Sequence, residues 1–138
     1  MDSAAAQQLF AGARVARLAT VTPDGRPHVV PIVFALRGDT VLSAVDAKPK
    51  RTTALARLRN IAAHPEASVL ADHYEEDWSA LWWARGDGRA RILAPGTPAA
   101  REAAVLLRER YPQQRVTGAV LALEVVRWSG WAAADISR

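Results

Sequence analysis

The chain has no cysteine, a single methionine and only two lysines. Without cysteine, disulfides, thiolate nucleophiles and Cys-ligated zinc or iron–sulfur centres are excluded. Three histidines (His28, His64 and His73) are available to a metal, and no two of them have ligand spacing. No apolar run approaches the eighteen or so residues that a membrane-spanning helix needs, so no membrane partner is expected. The opening residues, Met1-Asp2-Ser3-Ala4, lack the basic and apolar blocks of a secretion signal, and the chain reads as cytoplasmic.

What remains is globular. Half of the 138 residues are apolar and 23% are charged. A chain of this length buries about two-thirds of its surface on folding, enough for one core, so residues 1–138 read as a single domain. The net charge is +4, with sixteen arginines against the two lysines, Lys48 and Lys50. A mild positive excess suits an anionic ligand. The cations are scattered among acids with no basic stripe or reader motif, which argues against nucleic acid.

Hydrophobic period and punctuation predict the elements. A short helix over 4–11, capped by Asp2 or Ser3 and stopped by Gly12, precedes a strand over 14–22. Pro23-Asp24-Gly25-Arg26 is turn chemistry, and a second strand follows over 27–36. Pro31 inside that strand cannot donate to a ladder, which requires an edge, a bulge or a gap. A third strand over 40–45, a helix over 54–63 and a strand over 67–73 come next. A long strand over 79–93, bent or bulged at Gly86 and Gly88, leads to a helix over 99–110 with Thr97 as cap and Pro98 in its first position. A last strand covers 116–127. Six strands with short turns and three peripheral helices predict a mainly β, antiparallel barrel.

Three features carry candidate chemistry. Lys48, Lys50 and Arg51, followed by Thr52 and Thr53, stand at the start of the second helix. Unpaired helix N–H groups, cationic side chains and hydroxyls together favour a phosphate. The alternative is a solvated loop in which Thr52 caps the helix. The strand around Val30, Pro31 and Ile32 is either a plain core strand or one whose proline leaves backbone groups free for a ligand's ring edge. Trp78, Trp82 and Trp83 fall within six residues, and the adjacent pair must point to opposite faces of a strand, so one of the two is not core. Gly86-Asp87-Gly88 is no dinucleotide fingerprint, since it opens no helix. The acidic run Glu75-Glu76-Asp77 reads as a solvated turn.

The segments ARLATVTPDGRPHVVPIVFAL, VLSAVDAKPKRTTALARLRNIAAHPEASVLAD and WWARGDGRARIL, in that order, resemble the split β-barrel flavin-binding family related to pyridoxamine 5′-phosphate oxidase. Within it they are similar to the coenzyme F420 (deazaflavin)-dependent oxidoreductases. The resemblance runs from about Arg14 to Trp131. It implies a six-stranded split barrel and a homodimer with cofactor sites at its interface. It implies that Val30, Pro31 and Ile32 line the ring and that Ser43 lies near the ribityl chain. Lys48, Lys50, Arg51 and Thr52 would bind phosphate, and Arg57 the anionic tail. Trp78, Trp82 or Trp83 would cover the ring from the partner chain. The implied activity is hydride transfer between coenzyme F420 and a small organic substrate, with FMN as the alternative cofactor and no obligatory side-chain acid or base. A protein of the same fold that binds cofactor or haem without turnover is the non-enzymatic alternative.

Overall fold

The structure is a computed structural model that describes residues 1–45, 52–116 and 118–136. In chain order the elements are α1 (Ser3–Gly12), β1 (Ala16–Val21), β2 (Pro27–Ile32), β3 (Ala35–Arg37), β4 (Thr40–Ala44), α2 (Thr52–Ala63), β5 (Glu66–His73), a 3-10 turn (Trp78–Ala80), β6 (Trp82–Leu93), α3 (Pro98–Arg110), β7 (Val120–Ala132) and α4 (Ala133–Ile136). The strands form one antiparallel sheet in the order β2-β1-β5-β6-β7-β4-β3. Its two end strands, β2 and β3, are consecutive in the chain and joined only by Val33 and Phe34. The three Cα steps from Ile32 to Ala35 reach about 11 Å at most, so the ends of the sheet are held together and the sheet curls into a barrel.

That junction corrects the expected single strand over 27–36. The chain bends at Val33-Phe34, so six predicted strands become seven, with the break as the seam of the split barrel. Side chains satisfy the backbone groups the seam leaves without ladder partners. Ser43 Oγ donates to the Val33 carbonyl at 3.0 Å, the Phe34 N–H donates to Tyr111 Oη at 3.5 Å, and Arg110 donates to the Phe34 carbonyl at 3.1 Å. Two further boundaries move. The strand expected from Ser79 starts at Trp82, because Asp77 caps the 3-10 turn before it. The last strand runs to Ala132 through Trp128-Ser129-Gly130-Trp131, paired with β6 along its length.

Alternation along the strands builds two cores. Phe10 of α1, Leu18, Phe34, Val69, Leu123 and Trp128 fill the barrel interior, with Phe10 and Phe34 centroids 4.5 Å apart. Outside, α3 lays Ala100, Ala103, Ala104 and Leu107 on Ala35, Leu42, Val120 and Ala122. Strand β4 is therefore buried on both faces, Val41 inward and Leu42 under α3. Helix α2 packs Ile61 and Leu58 on the interior cluster. It is pinned by a buried polar pair, Asn60 Nδ2 donating to Thr20 Oγ1 at 3.0 Å, with the two residues 2% and 3% exposed. A buried amide needs such a partner, so the pair fixes the helix in one register on β1.

Candidate functional site

Whereas α3 covers the outside of β3, β4 and the start of β7, the outward face of β2, β1, β5 and the first part of β6 stays open. Val29 is 61% exposed there, and Arg17, Pro31 and Leu70 are exposed beside it. The registers place these residues in rows: Val29 opposite Ala19, Ala19 opposite Ser68, and Ser68 opposite Asp87; one step along, Pro31 opposite Arg17, Arg17 opposite Leu70, and Leu70 opposite Arg85. Exposed Val29, Pro31 and Leu70 are thus interleaved with Arg17, Ser68, Arg85 and Asp87, and exposed apolar surface rimmed by polar groups marks an interaction site.

A cleft of about 570 Å³ opens on this face, with Ala19, Val21, Pro27 and Ala67 among its walls. It lies at a β-bulge between Asp87 and Gly88, where β6 slips against β7. Gly88 is required by contact, since a Cβ there would sit 1.9 Å from the Glu124 carbonyl oxygen. The close approach draws β6 onto β7 and leaves small residues on the floor of the cleft. Its polar edge is ordered: Ser68 Oγ donates to Asp87 at 2.6 Å, Arg85 Nε donates to Asp87 at 3.2 Å, and Arg89 pairs with Glu66 at 2.6 Å. The volume falls within the ~300–1,000 Å³ of small-molecule sites.

The predicted site residues divide. Lys48, Lys50 and Arg51 lie outside the described residues, as does the side chain of Thr52, whose backbone opens α2. Pro31 faces outward, while Val30 packs on the interior cluster and Ile32 is buried in it. These three side chains cannot line one ring together, because a strand alternates. What they share is a backbone edge. Among the described residues β2 pairs with β1 alone, so Pro31 stands on an edge strand and half of the β2 backbone groups point away from the sheet. Ser43 does not join the open face: it is 2% exposed and its hydroxyl is engaged at the seam. Arg57 lies on α2 and is half-buried. Trp82 packs on the barrel core, whereas Trp83 faces outward under the Arg85 guanidinium, 5.8 Å from its centroid. Trp78, on the 3-10 turn, is 72% exposed.

Sequence reading missed Ser68, Arg85, Asp87 and the cleft. The signal was present in the adjacent glycines, which marked a bulge, but the hollow depends on the register of three strands. Among the described residues no group of three or more His, Asp or Glu side chains is placed to hold a metal ion, and no helix is long and apolar enough to cross a membrane.

The family model for pyridoxamine 5′-phosphate oxidase matches residues 3–132. Solved structures share the fold at low identity. The conserved hypothetical protein Rv2991 from Mycobacterium tuberculosis superposes with a TM-score of 0.79 at 20% identity, over 100% of this chain and 89% of that one. An FAD-binding protein from Mesorhizobium loti does so with 0.71 at 20%, over 94% and 92%. A heme-binding protein from Mycobacterium smegmatis gives 0.66 at 22%, over 96% of this chain and 59% of that one. A comparison with the sequences of curated proteins finds no match. The seamed barrel and the family match over nearly the whole chain lead to one assignment: this protein belongs to the pyridoxamine 5′-phosphate oxidase family, with its split-barrel fold.

Proposed function

We propose that the protein is an oxidoreductase that binds a flavin-type cofactor on the open face of the barrel, between two copies of the chain. The observation that carries this reading is the undressed face itself: an edge strand with free backbone groups beside an apolar cleft, in a family named for a flavin enzyme. FAD-binding relatives of the same fold support it. The finer reading is coenzyme F420, which is more anionic than FMN and so suits the net charge of +4.

The residues present fit such a group. The β2 edge at Val30, Pro31 and Ile32 offers N–H and C=O groups to a ring's polar rim. Lys48, Lys50, Arg51 and Thr52 would hold a phosphate, and Arg57 an anionic tail. Trp78 or Trp83 of a second copy would exclude water from the ring. When bound, the cofactor supplies hydride transfer, and the chain's task is to bind, orient and shield. The barrel interior is filled by its own side chains, so the ring belongs outside, in a groove that pairing of two chains would close.

Fluorescence titration with FMN and F420 side by side tests the reading, with gel filtration for the dimer. Expected is saturable binding of F420 to a dimer, weakened at least tenfold, ~1.4 kcal/mol, in Lys50→Ala. Binding of FMN alone would move the assignment to a flavin enzyme. Haem binding with no affinity for either cofactor would move it to a non-catalytic carrier, and binding of none of the three overturns it.

A further inference from the structure

We infer that Arg85 is a specificity-determining residue that selects an organic carboxylate with an apolar body, held in the adjoining cleft. The inference rests on the reading of this face as the reaction site and adds the class of molecule that is reduced or oxidised there.

Four observations converge on Arg85. Its Nε is fixed by Asp87 at 3.2 Å, and Asp87 is fixed in turn by Ser68 at 2.6 Å, so the planar group is held from behind. Its guanidinium lies over Trp83, 5.8 Å from the ring centroid, which restrains it from a second side. Among the described residues the two terminal nitrogens have no hydrogen-bond partner, and the side chain is 42% exposed. The free end of the fork is thus oriented and wet, the arrangement in which a guanidinium grips a carboxylate with two parallel bonds. Finally, Asp87 and Ser68 are themselves walls of the 570 Å³ cleft, whose other walls include Ala19, Val21, Ala67 and Val126. Arg85 is not itself a wall of the cleft, whose lining also includes Glu66 and Arg89; it stands one outward row beyond Ser68 and Asp87, opposite Leu70. A molecule seated in the cleft would rest its apolar body on the small residues and reach past Asp87 to the fork with its anionic end.

The charges on the face agree. Glu66 is paired with Arg89 and Asp87 with Arg85, while Arg17 and Arg127 have no acidic partner among the described residues. Arg127 stands opposite Asp87 and Arg17 opposite Leu70, itself opposite Arg85. The face around the fork therefore carries surplus positive charge, which favours an anion over a neutral analogue. Asp72, opposite Trp83, is the other acid on the outward face of β5.

The test uses 2-naphthoate and the uncharged 2-naphthalenemethanol as probes, titrated calorimetrically into the intact protein without cofactor. Expected is at least tenfold tighter binding of the carboxylate. Arg85→Gln should abolish that preference while leaving the alcohol's affinity unchanged. Arg85→Lys, which keeps the charge and loses the fork, should lose threefold or more. Circular dichroism and melting temperature establish that each variant is folded. If Arg85→Gln fails to fold, Arg85→Lys carries the comparison. Equal affinity for the two probes, or a carboxylate preference that survives Arg85→Gln, overturns the inference. So does a tenfold loss of FMN or F420 affinity in Arg85→Gln, which would give the fork to the cofactor's own anionic groups. Since the probe arm contains no cofactor, failure of cofactor binding and failure of carboxylate selection are read separately.

Discussion

Arg110 joins three parts of the molecule, and its removal has a calculable effect. It is the last residue of α3 and donates to the Phe34 carbonyl at 3.1 Å, to the Ala11 carbonyl at 3.2 Å and to the Ala13 carbonyl, while its guanidinium stacks 4.7 Å from the Phe34 ring centroid. Helix α1 has no basic residue in its own last turn, so a cation from α3 complements its carbonyl end. Arg110→Met keeps length and apolar contact but deletes the donors. Water replaces the bond to the solvent-facing Ala11 carbonyl. The part-buried Phe34 and Ala13 carbonyls lose a charged donor at roughly 1 kcal/mol each after allowance for solvent. Loss of the stack adds about 0.5–1 kcal/mol. The sum is about 3 kcal/mol, which for this chain length lowers the melting temperature by roughly 10 °C. Urea unfolding followed by tryptophan fluorescence measures it, and Trp128, 5.3 Å from Phe10 in the same core, reports locally. Arg110→Lys should recover about half, having one nitrogen for three acceptors. A loss below 1 kcal/mol in Arg110→Met would refute the view that this residue holds the barrel's seam to its first helix.

Further outcomes follow from contacts elsewhere. Gly88→Ala should destabilise far more than Gly86→Ala, by about 2 kcal/mol in thermal denaturation: a Cβ at 88 meets the Glu124 carbonyl at 1.9 Å, whereas at 86 it meets movable side-chain atoms of Val125 and Trp128 at 2.9 and 3.0 Å. Asn60→Leu should cost about 2 kcal/mol because Thr20 is left buried without its partner, and adding Thr20→Val should return part of that loss in a double-mutant cycle. The Asp77 carboxyl is held below its ordinary value of 3.8 by hydrogen bonds from the Ser79 hydroxyl and N–H. A depressed folded-state value means that its contribution is present above the unfolded value and lost as pH falls through the folded one. An NMR titration should therefore place Asp77 below 3.8, and Ser79→Ala should raise its midpoint.

Local chemistry made most of this fold legible, and the failures share a cause. Helices α1 and α3 lie within a residue or two of their expected bounds because caps are short-range: Asp2 accepts from the Ala5 N–H and Thr97 from the Ala100 N–H, both readable from spacing. The turn at Gly25, with φ of 90°, is equally local. The break at Val33-Phe34 was not legible, because nothing there disfavours extended backbone. It exists because Ser43, Arg110 and Tyr111, ten to seventy-seven residues away, satisfy the groups the bend releases. The same separation governs the candidate site. A basic cluster announces itself in consecutive letters, so Lys48, Lys50 and Arg51 stood out. Ser68, Arg85 and Asp87 are ordinary strand residues until the β5–β6 register sets Ser68 opposite Asp87. Alternation then puts Arg85 and Trp83 on the face that Asp87 shares. Ser43 is the converse case: the family resemblance sets it near the ribityl chain, whereas its hydroxyl is buried and donates to the Val33 carbonyl at the seam. Serine reads as a ligand contact only once the carbonyl groups that compete for its proton are counted.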